Sequence, residues 1–403
     1  MKIVFLTRHF PPTICGVGDH TYHLAKQMQQ QGHEVSIICF SDQKPVELDE
    51  IDVFPIVKRW NRGGVLAVVN KVKMLQPDWF ISQYVPHGFQ SKGLPFASLR
   101  LYRQLNQLTV PILTIFHEVK IRPEHALKTQ IYSFIQAKIA DSLAEKSTKI
   151  VTSIDFYADY LKRFADKITV IPIASNILPI DVSEGVKQAL KNKYGISKAT
   201  KVVCTFGDRD ITHYLPAFDS LANDYPNFVW LLCGKNSTPS VILGSRPYIR
   251  YVGKMSAENI YQHLSLGDVF FMPDDINADG EGGTSNKSGS LATAFSLGIP
   301  IVATKGDLNN ALLVDGQNIL LTDITNQTAL YQALKSCFDN PTIALKLGNN
   351  ARQLYHKTLT WERSAAQLLG IMGAKFKTFE KNTAISALTF FSHRAHEGHR
   401  VFL

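Results

Sequence analysis

The 403 residues are more than one ordinary hydrophobic core serves, and they match two domains of roughly 150 to 200 residues each. A content of 45% hydrophobic and 19% charged residues describes a soluble globular protein and excludes a spanning one, because no run reaches the ~18 uncharged apolar residues that a bilayer helix needs. Lys and Arg outnumber Asp and Glu by 43 to 34, and the net charge of +9 suits nucleotides, phosphorylated sugars, anionic membranes or nucleic acid without choosing among them.

The opening MKIVFLTRHFPP stops its apolar run at Arg8, too early for a signal sequence. Residues 2–7 read as a strand, the stretch with Pro11, Pro12, Gly16 and Gly18 as a loop, and residues 19–31 as a helix with Tyr22, Leu24, Ala25 and Met28 on one face. A turn at Gly32 and the strand HEVSIICF complete a βαβ unit, whose strands are too apolar for one-sided exposure. DWFISQYVP, VPILTIFHEV, KIVTSIDF and KITVIPIAS continue the pattern, with helical stretches between them. Residues 178–200 read as a polar linker, after which KVVCTFGD, NFVWLLCG, IRYVGK, GDVFFMP and IPIVATKG form a second series. The predicted class is α/β, with two Rossmann-like domains whose parallel sheets face a central cleft, and ligands belong at the carboxyl ends of the strands. From about Asn326 the reading is helical, and the tail KFKTFEKNTAISALTFFSHRAHEGHRVFL is basic. The five cysteines, Cys15, Cys39, Cys204, Cys233 and Cys337, lack the spacing of a zinc or redox pair and predict a reducing cytoplasmic setting.

Four loops carry candidate chemistry. Gly16 and Gly18 in PPTICGVGDHT let backbone amides approach a phosphate or sugar, or simply make a tight connection; the absence of Gly-x-Gly-x-x-Gly disfavours NAD. His117, just past a strand, is a hydrogen-bonding or proton-transfer group or an ordinary capping histidine, with Glu118 as its partner or merely solvated. Arg209 has the fork that suits a diphosphate, and His213 follows it, but Asp208 and Asp210 are alternative partners for Arg209. Lys287, Ser288 and Gly289 precede a predicted helix over 288–297, where free amides either hold a phosphate or only receive a cap. Asp274, Asp275, Asp279 and Glu281 form an acidic cluster without a histidine or a second spacing, so no metal is expected.

Taken together, PPTICGVGDHTYHLAKQMQQQGHEV, FHE at 116–118, VIPIAS at 170–175, FVWLLCGK, YVGKMSAENIYQHLSLGDVFFMP, SGSLATAFSLGIPIVATKG and LTWERSAAQLL resemble the retaining, two-domain glycosyltransferases of family 4, of GT-B architecture, over about residues 1–370. The resemblance implies an acceptor-binding domain at 1–178, a nucleotide-sugar domain at 179–355, and a crossover helix with a basic tail at 356–403 associated with the first domain. It further implies metal-independent hexose transfer from a nucleotide diphosphate sugar, UDP first, to a glycan or lipid-linked saccharide in polysaccharide biosynthesis. No cofactor is implied. Gly16 and Gly18 would sit by the diphosphate and sugar, His117 by the sugar, and Lys254 and Met255 by the base. Arg209, Lys287 and the amides of 287–289 would stabilise the leaving group.

The family's usual arginine and lysine after the first strand of the second domain are here Asp208 and His213, with Arg209 shifted by one. Its Glu-x7-Glu pair becomes Ser285 and Thr293, and SNKSGSL resembles a branch with a Ser-x-x-x-Gly-Ser-Leu pattern. Loss of both carboxylates keeps open a non-catalytic nucleotide- or sugar-binding scaffold, and an epimerase of similar shape is a third class. Nucleic acid is not an expected partner, since the charge is dispersed without an aromatic-basic module. The tail with Phe390 and Phe391 is too short to span a bilayer but permits peripheral contact at the cytoplasmic membrane face.

Overall fold

The computed structural model describes residues 1–373 apart from 14, 42–45, 47, 91, 123–125, 236 and 277–281. The basic tail with Phe390 and Phe391, and Asp279 and Glu281 of the acidic cluster, therefore lie outside the described residues.

Thirteen strands among the described residues make two sheets. The first has β1 (Lys2–Leu6), β2 (Glu34–Phe40), β3 (Ile51–Val57), β4 (Trp79–Tyr84), β5 (Ile112–Phe116), β6 (Lys149–Thr152) and β7 (Ile168–Val170) in the order β3-β2-β1-β4-β5-β6-β7. The second has β8 (Lys201–Phe206), β9 (Phe228–Cys233), β10 (Ile249–Gly253), β11 (Val269–Met272), β12 (Ile301–Thr304) and β13 (Leu320–Thr322) in the order β10-β9-β8-β11-β12-β13. Every pairing is parallel; Ile3, for example, faces Val35 on one side and Trp79 on the other. Both orders reverse beside the first strand of their sheet, between β1 and β4 and between β8 and β11, and such reversals open a crevice at the carboxyl ends of the strands.

Each sheet is buried on both faces, which explains why its strands read as continuous apolar runs. The Pro341–Thr358 helix contributes Ala351 and Tyr355 to a core of the second domain, whereas Trp361, Ala365, Leu368 and Leu369 of the Trp361–Ile371 helix join Ile3, Phe5, Leu24 and Met28 in the first. The chain thus returns to its first domain, as the predicted class has it, with the crossing between Leu359 and Trp361. Trp79 Nε1 donates to the Met372 carbonyl at 3.1 Å at the far end of that helix.

The polar linker contains a helix, Glu184–Tyr194. Ser183 accepts from the Val186 amide at its start, and Gly195 ends it with a φ of 67°. None of its residues is fully buried, so its composition resembles that of a loop. Strands β3 and β13 also escape the sequence reading: β3 carries Asp52 and Pro55 on the sheet edge, and β13 has only three residues. The first helix runs Gly16–Gln30, so it begins inside the glycine segment rather than after it.

Candidate functional site

A cavity of about 510 Å³ lies between the two domains. The segments after β1, β4 and β5 wall it on one side through Gly16, Val85 and His117, and those after β8 and β11 wall it on the other through Arg209 and Asp274. The two switch-point crevices therefore share one space.

Two helix N-termini border that space. The Gly16–Gln30 helix starts at Cys15, whose side chain makes no cap, and both Cys15 and Gly16 line the cavity. Across it the Gly289–Leu297 helix begins at Ser288, whose hydroxyl accepts from the Leu291 amide at 3.4 Å. A first helical turn leaves its leading amides without intrahelical acceptors, and the macrodipole adds positive potential there. A Cβ at Gly16 would meet nothing within 4 Å, whereas one at Gly18 would lie 2.7 Å from the His9 carbonyl oxygen. Gly16 thus keeps the approach open, and Gly18 lets the helix pack on the strand-end segment.

The first-domain wall is rich in histidine. His117 Nε2 bonds Gln83 Oε1 at 2.7 Å, and its ring stands edge-on to His20 at 4.8 Å. His20 is also edge-on to Trp361 at 5.2 Å, and His23 stacks on the same indole at 5.0 Å. Trp361 Nε1 donates to the Ser175 carbonyl at 2.7 Å, tying the return helix to the seam. Burial lowers the pKa of His117 to about 4 and that of His23 to about 4, the latter against the upward pull of a hydrogen bond with the Asn176 backbone. His20 falls well below the usual range through burial and the neighbouring His117 and His23. All three are neutral at pH 7.

The second-domain wall is charged. Arg209 pairs with Asp274 at 2.9 Å, while Asp208 takes Lys235 and Ser237, and Asp210 takes Thr212 and Thr238. Burial raises the pKa of Asp274, and the Arg209 charge opposes that rise. Arg209 Nε and Asp274 Oδ2 are buried without a hydrogen-bond partner among the described residues. Lys287 is exposed at the cavity rim. Among the described residues no group of three or more His, Cys, Asp or Glu is arranged to hold a metal ion.

Of the residues singled out in the sequence, Gly16, His117, Arg209, Ser285, Lys287, Ser288 and Gly289 line this cavity. Gly18, His213, Lys254, Met255 and Thr293 do not. Thr293 is 1% exposed, bonding Ser175 Oγ at 2.7 Å and donating to the Gly289 carbonyl at 2.9 Å. The His213 carbonyl accepts from Gln327 Nε2. Lys254 and Met255 follow β10, the former exposed and the latter packed partly against the second-domain core. Sequence reasoning missed His20 and Asn176 as lining residues. His20 lies four residues past Gly16 and so on the same helix face, a periodicity signal that was available. Asn176 follows β7 in an irregular segment and carries no such signal.

The seam is held by direct bonds: the Ile173 amide donates to the Asn286 carbonyl at 2.9 Å, and Arg122 pairs with Asp307 at 2.9 Å.

The family model described as Glycosyltransferase Family 4 matches residues 14–174, and that described as Glycosyl transferases group 1 matches 203–340. Among curated proteins compared by sequence, none matches. Similar solved structures include Anabaena HepE in complex with UDP and glucose, at 16% identity and a TM-score of 0.65 over 93% of this chain and 100% of that one. Sucrose-phosphate synthase from Thermosynechococcus elongatus follows at 15% identity and 0.66, covering 92% of this chain and 97% of that one. The UDP-GlcNAc 2-epimerase from Neisseria meningitidis bound to UDP-GlcNAc has 11% identity and 0.57, covering 93% and 100%. Two family models in tandem on two parallel-sheet domains thus relate the chain to the GT-B type glycosyltransferases, family 4 in its first half and group 1 in its second.

Proposed function

We propose that the chain is a retaining, metal-independent hexosyltransferase that moves a hexose from a nucleotide diphosphate sugar to a glycan or lipid-linked saccharide in polysaccharide biosynthesis. The observation that carries the proposal is the meeting of two helix N-termini with Arg209 and Lys287 in one interdomain cavity. That arrangement suits a diphosphate whose charge grows as the sugar leaves. UDP is the nucleotide of choice because HepE was solved with UDP and glucose.

In this reading the bond from the sugar's anomeric carbon to the diphosphate oxygen breaks while the acceptor hydroxyl bonds to the same face. The departing phosphate oxygen takes the hydroxyl proton. Arg209, Lys287 and the amides at Ser288 and Gly289 hold the leaving group, and Arg209 exchanges part of its contact with Asp274 for phosphate. His117, neutral and with Nε2–H given to Gln83, offers its second ring nitrogen to a sugar hydroxyl. Gly16 admits the sugar closely, Ser285 adds a hydroxyl, and the segment at Lys254 and Met255 takes the base. Gly18 and Thr293 support the walls from behind, and His213 lies beyond them. Domain limits of 1–178 and 179–355 go with this division of labour, with a return segment from 356 whose Trp361–Ile371 helix packs in the first core.

Calorimetric titration with UDP, GDP and ADP tests the reading. UDP should bind, and Arg209→Ala or Lys287→Ala should each weaken it roughly 10- to 100-fold, the cost of a lost charge-assisted bond. An anomerically inverted product would end the retaining mechanism. A second reading, a binding scaffold, is favoured by Thr293: the position where relatives carry a carboxylate is closed by its bond to Ser175. Nucleotide binding without turnover on any saccharide acceptor would select it.

A further inference from the structure

The crossover helix Leu127–Lys146 carries large apolar side chains on its outer face: Leu127 is 71% exposed, Ile131 47% and Phe134 63%. Spacings of four and three residues put all three on one stripe, so the surface is continuous along the helix and not a scatter of single residues. Helix Phe96–Gln107 packs beside it and begins with Phe96, 54% exposed. The segment leading into that helix touches the crossover helix, since a Cβ at Gly93 would come within 2.4 Å of Gln136 Nε2.

Topology locates this surface. In a parallel sheet each crossover helix starts at the carboxyl end of the strand before it. Phe96 follows β4 and Leu127 follows β5, so the stripe lies at the end of the first domain where Val85 and His117 wall the cavity. Arg122, between His117 and the stripe, reaches across to Asp307 of the second domain.

Charge selects the occupant. Lys92, Arg100, Arg103, Lys128 and Lys138 are exposed on these two helices and their approach, and residues 86–140 contain seven Lys and Arg against two Glu. The lysines frame the rings, with Lys128 Nζ 5.7 Å from the Tyr132 ring centroid and Lys138 Nζ 5.5 Å from that of Phe134. Apolar side chains that enter an acyl boundary while lysines stay at the headgroups are the pattern of an interfacial helix. A second copy of the same face would set these cations against one another, a like-charge arrangement that costs association.

We propose that the first domain docks on an anionic lipid surface through Leu127, Ile131 and Phe134, with Lys128 and Lys138 at the headgroups. The cavity mouth then opens beside the membrane, where a lipid-carried acceptor would lie. The docking does not depend on the donor, so it stands or falls separately from the transferase reading.

The test is flotation of the full chain with vesicles of phosphatidylcholine alone and of an equimolar mixture with phosphatidylglycerol. Binding is expected to the mixed vesicles and to fall with salt. Ile131→Ser with Phe134→Ser, and Lys128→Glu with Lys138→Glu, should each lower it roughly 10-fold or more while UDP binding and the unfolding midpoint stay unchanged. Absence of binding by the parent chain overturns the proposal, as does full binding by both variants, which would assign the contact to another segment such as the tail. A parent chain that sediments as a dimer, converted to monomer by the serine pair, overturns it in favour of self-association.

Discussion

The two walls of the cavity use opposite chemistry. The first-domain wall turns neutral imidazoles to the cavity: His20 and His117 line it beside the carboxylate of Glu118, and with His23 behind them they hold their lone pairs because burial disfavours protonation, their rings packing on one another and on Trp361. The second-domain wall is ionic, with Arg209, Asp274 and the exposed Lys287. Neutral imidazoles can hydrogen-bond sugar hydroxyls without attracting the diphosphate, and an ionic wall can grip a diphosphate without reading the sugar. The return helix joins the two, since Trp361 touches the histidines and bonds the segment on which the second wall rests.

The two walls depend on each other most at Trp361. Trp361→Ala should destabilise the chain by about 3 to 5 kcal/mol, the usual cost of truncating a buried tryptophan, and should also disturb the packed histidines. Urea unfolding measures the first effect, and a changed proton resonance of His23 or His117 reports the second. An unchanged midpoint would mean that the return helix is not part of the seam.

The buried histidines make stability depend on pH. Each histidine's folded pKa lies below its unfolded value near 6.5, so the unfolded chain binds more protons between that value and about 4. Stability contributed by these groups is fully present above pH 6.5 and is lost as pH falls toward 4. Asp19 acts the other way: burial raises its pKa to about 6, so its share is favourable at low pH and lost as pH rises through about 6. Asp268 and Asp274, also raised by burial, side with Asp19, while His33 and His263, also lowered, side with the three histidines; five groups outweigh three, and denaturant midpoints should drop between pH 7 and about 4.5. His23→Gln should make that drop shallower. A flat profile in the parent chain would show that the wall is protonated without cost.

On the ionic side a subtler change concerns Thr293. Thr293→Val keeps the shape and removes the hydroxyl that bonds Ser175 and Gly289, which should cost about 1 kcal/mol. UDP affinity should hold steady if Thr293 only supports the helix behind the cavity. A parallel loss of affinity would return Thr293 to the donor contacts.

Periodicity made much of this architecture legible in advance. Eleven of the thirteen strands were readable, nine of them as mainly buried apolar runs, and the Gly289–Leu297 helix announces itself through its Ser288 cap and Gly298 stop. The Glu184–Tyr194 helix stayed hidden because it buries no residue fully, leaving composition as the only signal. For the site, residue type and position after a strand sufficed to mark Gly16, His117, Arg209 and Lys287 as candidates. Neither could separate Gly16, open to the cavity, from Gly18, pressed against the His9 carbonyl.

Sequence alone determined the alternation of strand and helix, the break into two series and the family resemblance, because these rest on local periodicity and on motifs in a fixed order. Which carboxylate holds Arg209 depends on the fold: Asp208 and Asp210 are its chain neighbours, but Asp274, 65 positions away, meets it because β8 and β11 lie side by side. Burial, too, is a property of packed neighbours from many segments. That is why the charge state of the histidines and the unpartnered apolar stripe on the outer helix became visible only once the chain was folded.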